Sequence, residues 1–395
     1  PNSLRFTVRS RIVHGPLPGF GPPALARIET EFVMDESVKK ALAKVFGDRK
    51  PIEIVTLLDY GGDGVTHYSS PSFDHFPIGT KGETLSWKGF TASMEFGRDL
   101  AWFKMQGEAP GMEGSSPGGE SVKMEQVAFG SNSELAFDDL YIGDGWMKIK
   151  AISVVAGAAE GPAAGKNVTM SGFDYSAKAT RNKDFLDASG KFAIAGMDVE
   201  EMQMKDLHYD LSFNHLHGPT VAAIWRDVRK VLAQGVATPV GENGATIDKD
   251  MKRLGIALLE HEPELLVDRI SFTIPEGDAK LSGRMHLVGF EAADLDGGNP
   301  MALVQKIDAK VDIDIAEGLL KKFSEKSGSA AQLDRQLAAL EAHGYCTRSD
   351  GRVSTHIEFR QGALTFNGKA FSPKALVPPP APQSGAKPPR DTTHT

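Results

Sequence analysis

The segment from Lys306 to Ala316 alternates strictly between apolar and charged residues. Ile307, Ala309, Val311, Ile313 and Ile315 occupy every second position, and each position between them carries Asp or Lys. Successive side chains of a strand point to opposite faces, so this pattern predicts a strand with one apolar face and one face towards water. Similar stretches recur along the chain, which predicts an antiparallel, half-solvated sheet.

The recurrence of this pattern predicts an α+β, β-rich fold with long curved antiparallel sheets and a few covering helices. Apolar residues at helical spacing predict helices near 220–234, 250–260 and 330–343, and the second of these could extend past Pro263. Two segments, 107–120 and 157–165, are so rich in glycine, proline and small residues that they predict loops.

Three regions are expected along the chain. Residues 1–213 form an N-terminal β-rich region, and residues 214–371 form a C-terminal α+β region whose sheet either continues the first one or stands apart. Residues 372–395 carry much proline and few apolar side chains. Such a composition cannot bury enough surface to fold, so we expect a disordered tail.

Charge and cysteine content limit the classes of partner. The 395 residues include 52 acids and 44 bases, spread evenly, for a net charge of −8. Proteins that bind nucleic acid usually concentrate Lys and Arg on one face, so a nucleic-acid partner is not expected. The single cysteine, Cys346, excludes an intrachain disulfide. Because a strand-like segment follows Pro1 almost at once, we expect that a signal peptide or a membrane anchor has been removed upstream.

The short motifs favour turns over chemistry. His14-Gly15-Pro16 is expected to end the first strand, and Asp59 to Gly64 is expected to form a hairpin turn. His215 and His217 have the H-x-H spacing that could begin a zinc site, but such a site needs a third ligand that the sequence does not place. We therefore predict no metal site.

The sequence contains no catalytic motif in the structural context that its chemistry requires. The G-x-S-x-G spacing occurs at Gly114 to Gly118, but within the segment predicted to be a loop and not between a strand and a helix as a nucleophile elbow requires. No glycine-rich phosphate loop occurs, and Cys346 has no defined base beside it. A hydrolase without a recognisable motif is the last of our hypotheses. The prediction is a protein that is not an enzyme, with no catalytic residues and no cofactor.

Several landmarks, taken in order, resemble the YdgA-like bacterial family (domain of unknown function 945). They are the first strand up to His14-Gly15-Pro16, Trp87 to Phe90, the helix at 250–260 leading into Pro263-Glu264 and Arg269 to Phe272, Gly344-Tyr345, and Gly362 to Lys369. The resemblance implies a periplasmic domain of Gram-negative bacteria, tethered to the inner membrane by an N-terminal segment, with no established activity. A looser similarity to the AsmA-type envelope proteins, which hold lipid in an apolar groove, is one of architecture alone.

The apolar strand faces carry the functional expectation. We expect the helix at 330–343 to cover the strand at 306–316, and a groove to lie along the strands between 166 and 213. Methionine side chains adapt to varied apolar guests. The expected ligand is therefore lipid-like, and a periplasmic interaction scaffold with an unknown protein partner, supporting envelope or motility-related assembly, is the alternative. The predicted ligand-binding residues are Met202, Met204, Leu207, Tyr209, Leu211 and Phe213.

Overall fold

The computed structural model describes residues 6–78, 82–156, 167–200, 202–233, 242–296, 300–326 and 328–372. Within them the chain forms one antiparallel sheet, which confirms the predicted β-rich α+β class. Its strands are β1 Phe6–His14, β2 Ala26–Met34, β3 Glu53–Leu58, β4 Gly64–Ser70, β5 Phe73–Ile78, β6 Glu83–Trp87, β7 Phe90–Phe96, β8 Trp102–Ser115, β9 Ser121–Phe137, β10 Leu140–Val155, β11 Val168–Asn182, β12 Phe185–Val199, β13 Met202–His217, β14 Glu264–Ile274, β15 Gly277–Leu287, β16 Ile307–Ala316, β17 Thr347–Ser349, β18 Arg352–Arg360, β19 Ala363–Phe366 and β20 Lys369–Ala370.

The described helices are short and lie mostly in the second half of the chain. They are α1 Glu36–Phe46, α2 Gly218–Ala233, α3 Glu242–Leu259, α4 Ala293–Asp296, α5 Pro300–Lys306, α6 Glu317–Lys326 and α7 Ala330–Ala342. None of those in the described part of the chain is long and apolar enough to cross a membrane.

The sheet is a meander in which nearly every strand pairs with the next one along the chain. The pairing β1–β2–β3–β4 continues through β7 into β8, and from there runs in sequence order to β16. The hairpin β5–β6 joins β8 beside β7, while β18 follows β16. The expected boundary at residues 213 and 214 falls inside β13, and the sheet continues from there into β14.

The central strands are unusually long. From β8 to β13 each strand has 14 to 17 residues, which corresponds to about 50 Å of extended chain. A strand of this length exposes two broad faces, and each face needs either a covering layer or a composition that tolerates water.

The predicted loop at 107–120 is wrong for most of its length. Residues up to Ser115 belong to β8, and Gly107, Gly111 and Gly114 all have partners in β9. Ladder pairing with β9 on both sides of Pro110 outweighs the weak strand preference of glycine. Pro110 lies at the one position in this stretch with no partner, beside Gly111 at φ 148°, as expected for a residue that cannot donate to the ladder. The predicted loop at 157–165 lies outside the described residues, as does the tail from residue 373.

The helix α2 confirms the predicted helix at 220–234, and it crosses the ends of the long strands. It begins directly after β13 and reaches the turn between β9 and β10, where Arg226 and Arg229 form ion pairs with Asp138 and Asp139. Contact with α3 completes a helical pair at this end of the sheet. The second helix does not continue past Pro263, because α3 ends at Leu259 and β14 begins at Glu264.

A small core lies at the C-terminal end of the sheet. Leu319 of α6, Leu337 of α7, Tyr345 and Cys346 are buried there. The main helical contact with β15 and β16 comes from α6, whereas α7 packs on α6. The expectation that the helix at 330–343 covers the strand at 306–316 is therefore wrong. The chain passes directly from β16 into α6, and α6 is therefore the helix that packs on β15 and β16.

Ion pairs join neighbouring strands on the polar side of this end. Arg352 of β18 donates to Asp314 of β16 and to Asp278 of β15, each at 2.6 Å. Hydrogen bonding to Arg352 holds the pKa of the Asp278 carboxyl below its usual value. A lowered carboxyl pKa stabilises the folded state above the usual pKa, and this contribution is lost as the pH falls through the lowered value.

We expect Arg352→Met to lower the free energy of unfolding by about 1 kcal/mol near neutral pH, since the pair is partly exposed. The difference from the wild type should shrink in acid, as Asp278 becomes protonated in both proteins. Urea unfolding followed by circular dichroism between about pH 7 and about pH 2.5 measures it. Arg9→Met is the control, because Arg9 and Glu31 form an exposed pair and should contribute little. If the difference in free energy of unfolding between the wild type and Arg352→Met grew in acid, Arg352 would not be the cause of the lowered pKa of Asp278.

Candidate functional site

Directly paired residues in the ladder place an apolar row across the sheet. From β9 to β16 the successive partners are Phe129, Met147, Tyr175, Phe192, Tyr209, Ile270, Leu281 and Ile313. Cross-strand partners share a face. We call this surface, with the residues two positions along each of its strands and with Phe213 of β13, the apolar face. At the usual strand spacing the row is about 34 Å long.

Three aromatic side chains in the middle of the apolar face are open to solvent, although Ile194 of the same face is buried. Tyr175, Tyr209 and Phe213 keep 42%, 48% and 41% of their surface exposed. On the opposite face Asp210, next to Tyr209, is only 6% exposed and pairs with Arg269. In an ordinary packed sheet the aromatic residues would be buried and the carboxylate exposed. At this point of β13 the carboxylate is covered, and the aromatic side chain beside it remains accessible.

A second apolar row lies towards the other end of the long strands. Its partners from β8 to β13 are Met112, Met124, Ile152, Met170, Met197 and Met204. Beside it runs a row of Val122, Val154, Val168, Val199 and Met202. We call these two rows the methionine patch. Five thioethers in line give a surface that can adjust to the shape of what it contacts.

The predicted ligand-binding residues divide between these two surfaces. Leu207, Tyr209, Leu211 and Phe213 alternate along β13, pair with apolar-face residues of β12 and lie on the apolar face. Asp206, at φ 51°, interrupts the alternation. Met204 and Met202, beyond this interruption, belong to the methionine patch, and Met202 is 45% exposed. The structure thus brings the first four together and places the two methionines in the neighbouring patch.

The histidines near the start of α2 form an aromatic stack. The ring of His217 lies 3.9 Å from that of His261, and the ring of His215 lies 3.9 Å from that of Phe185. Burial and the nearby His261 lower the pKa of His217. His217 Nδ1 pairs with the Thr220 hydroxyl. Stacked rings do not converge on one point, and no group of three or more metal-binding side chains occurs among the described residues.

The remaining short motifs from the sequence form turns or lie in the core. His14 ends β1, and Gly15 follows at φ 120°, as predicted for a turn. The Asp59 carboxylate accepts the backbone N–H groups of Gly61 and Asp63, which closes the predicted hairpin turn between β3 and β4. Burial raises the pKa of the Cys346 thiol. A thiol of this kind is protonated at neutral pH and is a poor nucleophile.

The profile of a bacterial family of unknown function, DUF945, matches residues 1–374 of the chain. The protein belongs to this family. The match confirms the resemblance drawn from the sequence and covers both apolar surfaces. No curated protein and no solved structure matches the chain at a significant level.

Sequence reasoning did not find most of the residues that make up the two surfaces in this DUF945 protein. Phe129, Met147 and Tyr175 each lie in a strand with a visible apolar alternation. Their alignment in one row depends on the ladder register, which is set by turns such as the one at Asp138-Asp139. The methionine row could not be predicted from spacing either, because strands of different lengths separate its members along the sequence. These are Met112, Met124, Met170, Met197 and Met204.

An open apolar face predicts small stability costs when its aromatic residues are truncated. We expect Phe213→Ala to lower the free energy of unfolding by about 1 kcal/mol, well below the roughly 3–5 kcal/mol of a buried Phe→Ala change. Leu186→Ala in β12 is the matched control, because Leu186 is 3% exposed and its truncation should cost about 3 kcal/mol. Urea unfolding measures both variants. A larger cost at Phe213 than at Leu186 would show that the apolar face is sealed.

Proposed function

We propose that this protein is a non-enzymatic envelope protein of the periplasm, tethered to the inner membrane, that binds an acyl chain on its apolar face. The observation that carries the proposal is the exposure of Tyr175 and Tyr209 within one continuous apolar row, and of Phe213 further along β13. Exposed apolar surfaces of this extent mark sites of interaction with apolar partners. The periplasmic location rests on the family resemblance.

The chemistry of the row favours an acyl chain. Apart from the hydroxyls of Tyr175 and Tyr209, its side chains from β9 to β16 offer no hydrogen-bonding group. A ligand with many polar atoms would lose its hydration there without compensation. A long hydrocarbon chain has no polar atoms whose hydration could be lost, and it needs no fixed orientation. The adjacent methionine patch extends the same kind of surface.

The first test is the lipid content of the purified protein. Organic extraction followed by mass spectrometry should find a co-purifying phospholipid or fatty acid. In addition, palmitate should displace a dansyl-labelled fatty acid from the protein in a saturable manner. If extraction yields no lipid and the labelled fatty acid does not bind, the proposal fails.

Charge placed on the apolar face should abolish this binding. We expect Leu211→Glu to weaken fatty-acid binding by at least about tenfold, because burying a carboxylate beside the acyl chain is costly. Ser189→Glu is the matched control, since Ser189 lies in β12 on the opposite face, beside Gly190, the partner of Leu211. If the two changes weakened fatty-acid binding equally, the ligand would not be bound on the apolar face. A stable dimer that shields Tyr209 from solvent would favour a protein interface instead.

A further inference from the structure

The face opposite the apolar face is polar, and one tryptophan stands out on it. Trp146 of β10 is the direct partner of Gly130 in β9 and Ser176 in β11. Its neighbours two positions along the strand are Asp144 and Lys148. Trp146 is nevertheless 39% exposed. An indole in such surroundings gains little from packing, so it is a candidate for contact with a ligand.

Gly130 fixes the position of this indole. A Cβ atom at residue 130 would lie 2.8 Å from Nε1 and 2.9 Å from Cε2 of Trp146. The ring therefore lies directly over the glycine and is held against the sheet, with its other side towards solvent. Any side chain at residue 130 would displace it. Among the described residues no protein atom accepts a hydrogen bond from the indole Nε1–H.

The polar row continues from Gly130 across three more strands. Its successive members are Gln106 of β8, Ser93 of β7 and His67 of β4. Within the described part of the chain, these three side chains form no hydrogen bonds with other protein groups. They line a shallow depression of ≈ 500 Å³ together with Trp146 and Glu108. A smaller depression of ≈ 210 Å³ adjoins it, also lined by Trp146, Ser93 and Gln106.

We propose that Trp146 and this row form a glycan-binding site that holds a neutral pyranose ring. The C–H face of a pyranose packs against an exposed indole, and its hydroxyl groups need both donors and acceptors at the side. Gln106 supplies both kinds of group, while Ser93 and His67 add more. An open trough also accepts an internal unit of a long polysaccharide, which an enclosed pocket would exclude.

The surrounding charges disfavour the competing ligand classes. Glu95 and Lys104 carry opposite charges beside the smaller depression, and Glu108 lies at the larger one. A site for phosphate or nucleic acid would instead gather several cations. A site for a quaternary ammonium group would enclose it with several aromatic rings. The two depressions have Trp146 and, at the edge, Phe129 of the opposite face as their aromatic members. This site lies on the opposite face from the acyl-chain site, and neither depends on the other.

Saturation-transfer NMR with cellohexaose, chitohexaose and maltohexaose tests the proposal. We expect the wild-type protein to bind at least one hexasaccharide saturably, and Trp146→Ala to weaken that binding by at least about tenfold. Gly130→Ala should weaken it too, because the added methyl displaces an indole that is still present. Trp225→Ala is the matched control, since Trp225 of α2 has a similar exposure of 43% and lies outside both depressions.

Three results would overturn the proposal. They are failure of all three hexasaccharides to bind the wild type, an equal loss of binding in Trp225→Ala, and binding of a nucleotide or peptide at Trp146 in their place. Circular dichroism of each variant separates loss of binding from loss of fold. Should Trp146→Ala fail to fold, Trp146→Phe replaces it as the test. A smaller ring over Gly130 should bind the same sugar more weakly.

Discussion

The continuous antiparallel ladder is the interaction on which this structure depends. Hydrogen bonds between neighbouring strands satisfy the backbone from β1 to β16, so the sheet does not need a second layer to bury its peptide groups. Fully buried hydrophobic side chains are few among the described residues, and several of them lie near the strand ends and the C-terminal core. Stability therefore comes from pairing along the whole length of the long strands, together with half-burial of one face. This arrangement is what allows aromatic residues to remain exposed.

The sequence predicts the class of the fold, because the two-residue alternation is a local property. The strand at Lys306 to Ala316 and the helix at 220–234 are both found where the pattern places them. The prediction of a loop was wrong for residues 107–115. Their glycines and Pro110 disfavour a strand locally, and only the ladder with β9 imposes one. The members of the candidate sites were harder to predict. Leu207 to Phe213 share one strand and could be read together, whereas Trp146 and Gly130 belong to different strands and meet only through the register.

The two faces of the same strands carry different chemistry. In β10, Met147 belongs to the apolar face, and Trp146 beside it lies on the polar face over Gly130. The proposed acyl-chain site and the proposed glycan site therefore share a backbone and remain separated by the thickness of one sheet. A protein of the bacterial envelope, as proposed here, would meet both kinds of molecule. The common scaffold would also fix the distance and direction between them.

In this meander most strands contact only the strand before and the strand after them. A hairpin could therefore be added or removed within the central region while the remaining pairs keep their partners, much as units are gained or lost in a repeat protein. Each such event would change the width of both faces by two strand spacings, about 10 Å, without changing the chemistry of either. Evolution can then change the width of the two faces by one hairpin at a time. The helix α2, anchored at Asp138 and Asp139, limits where along the sheet a hairpin can be added or removed.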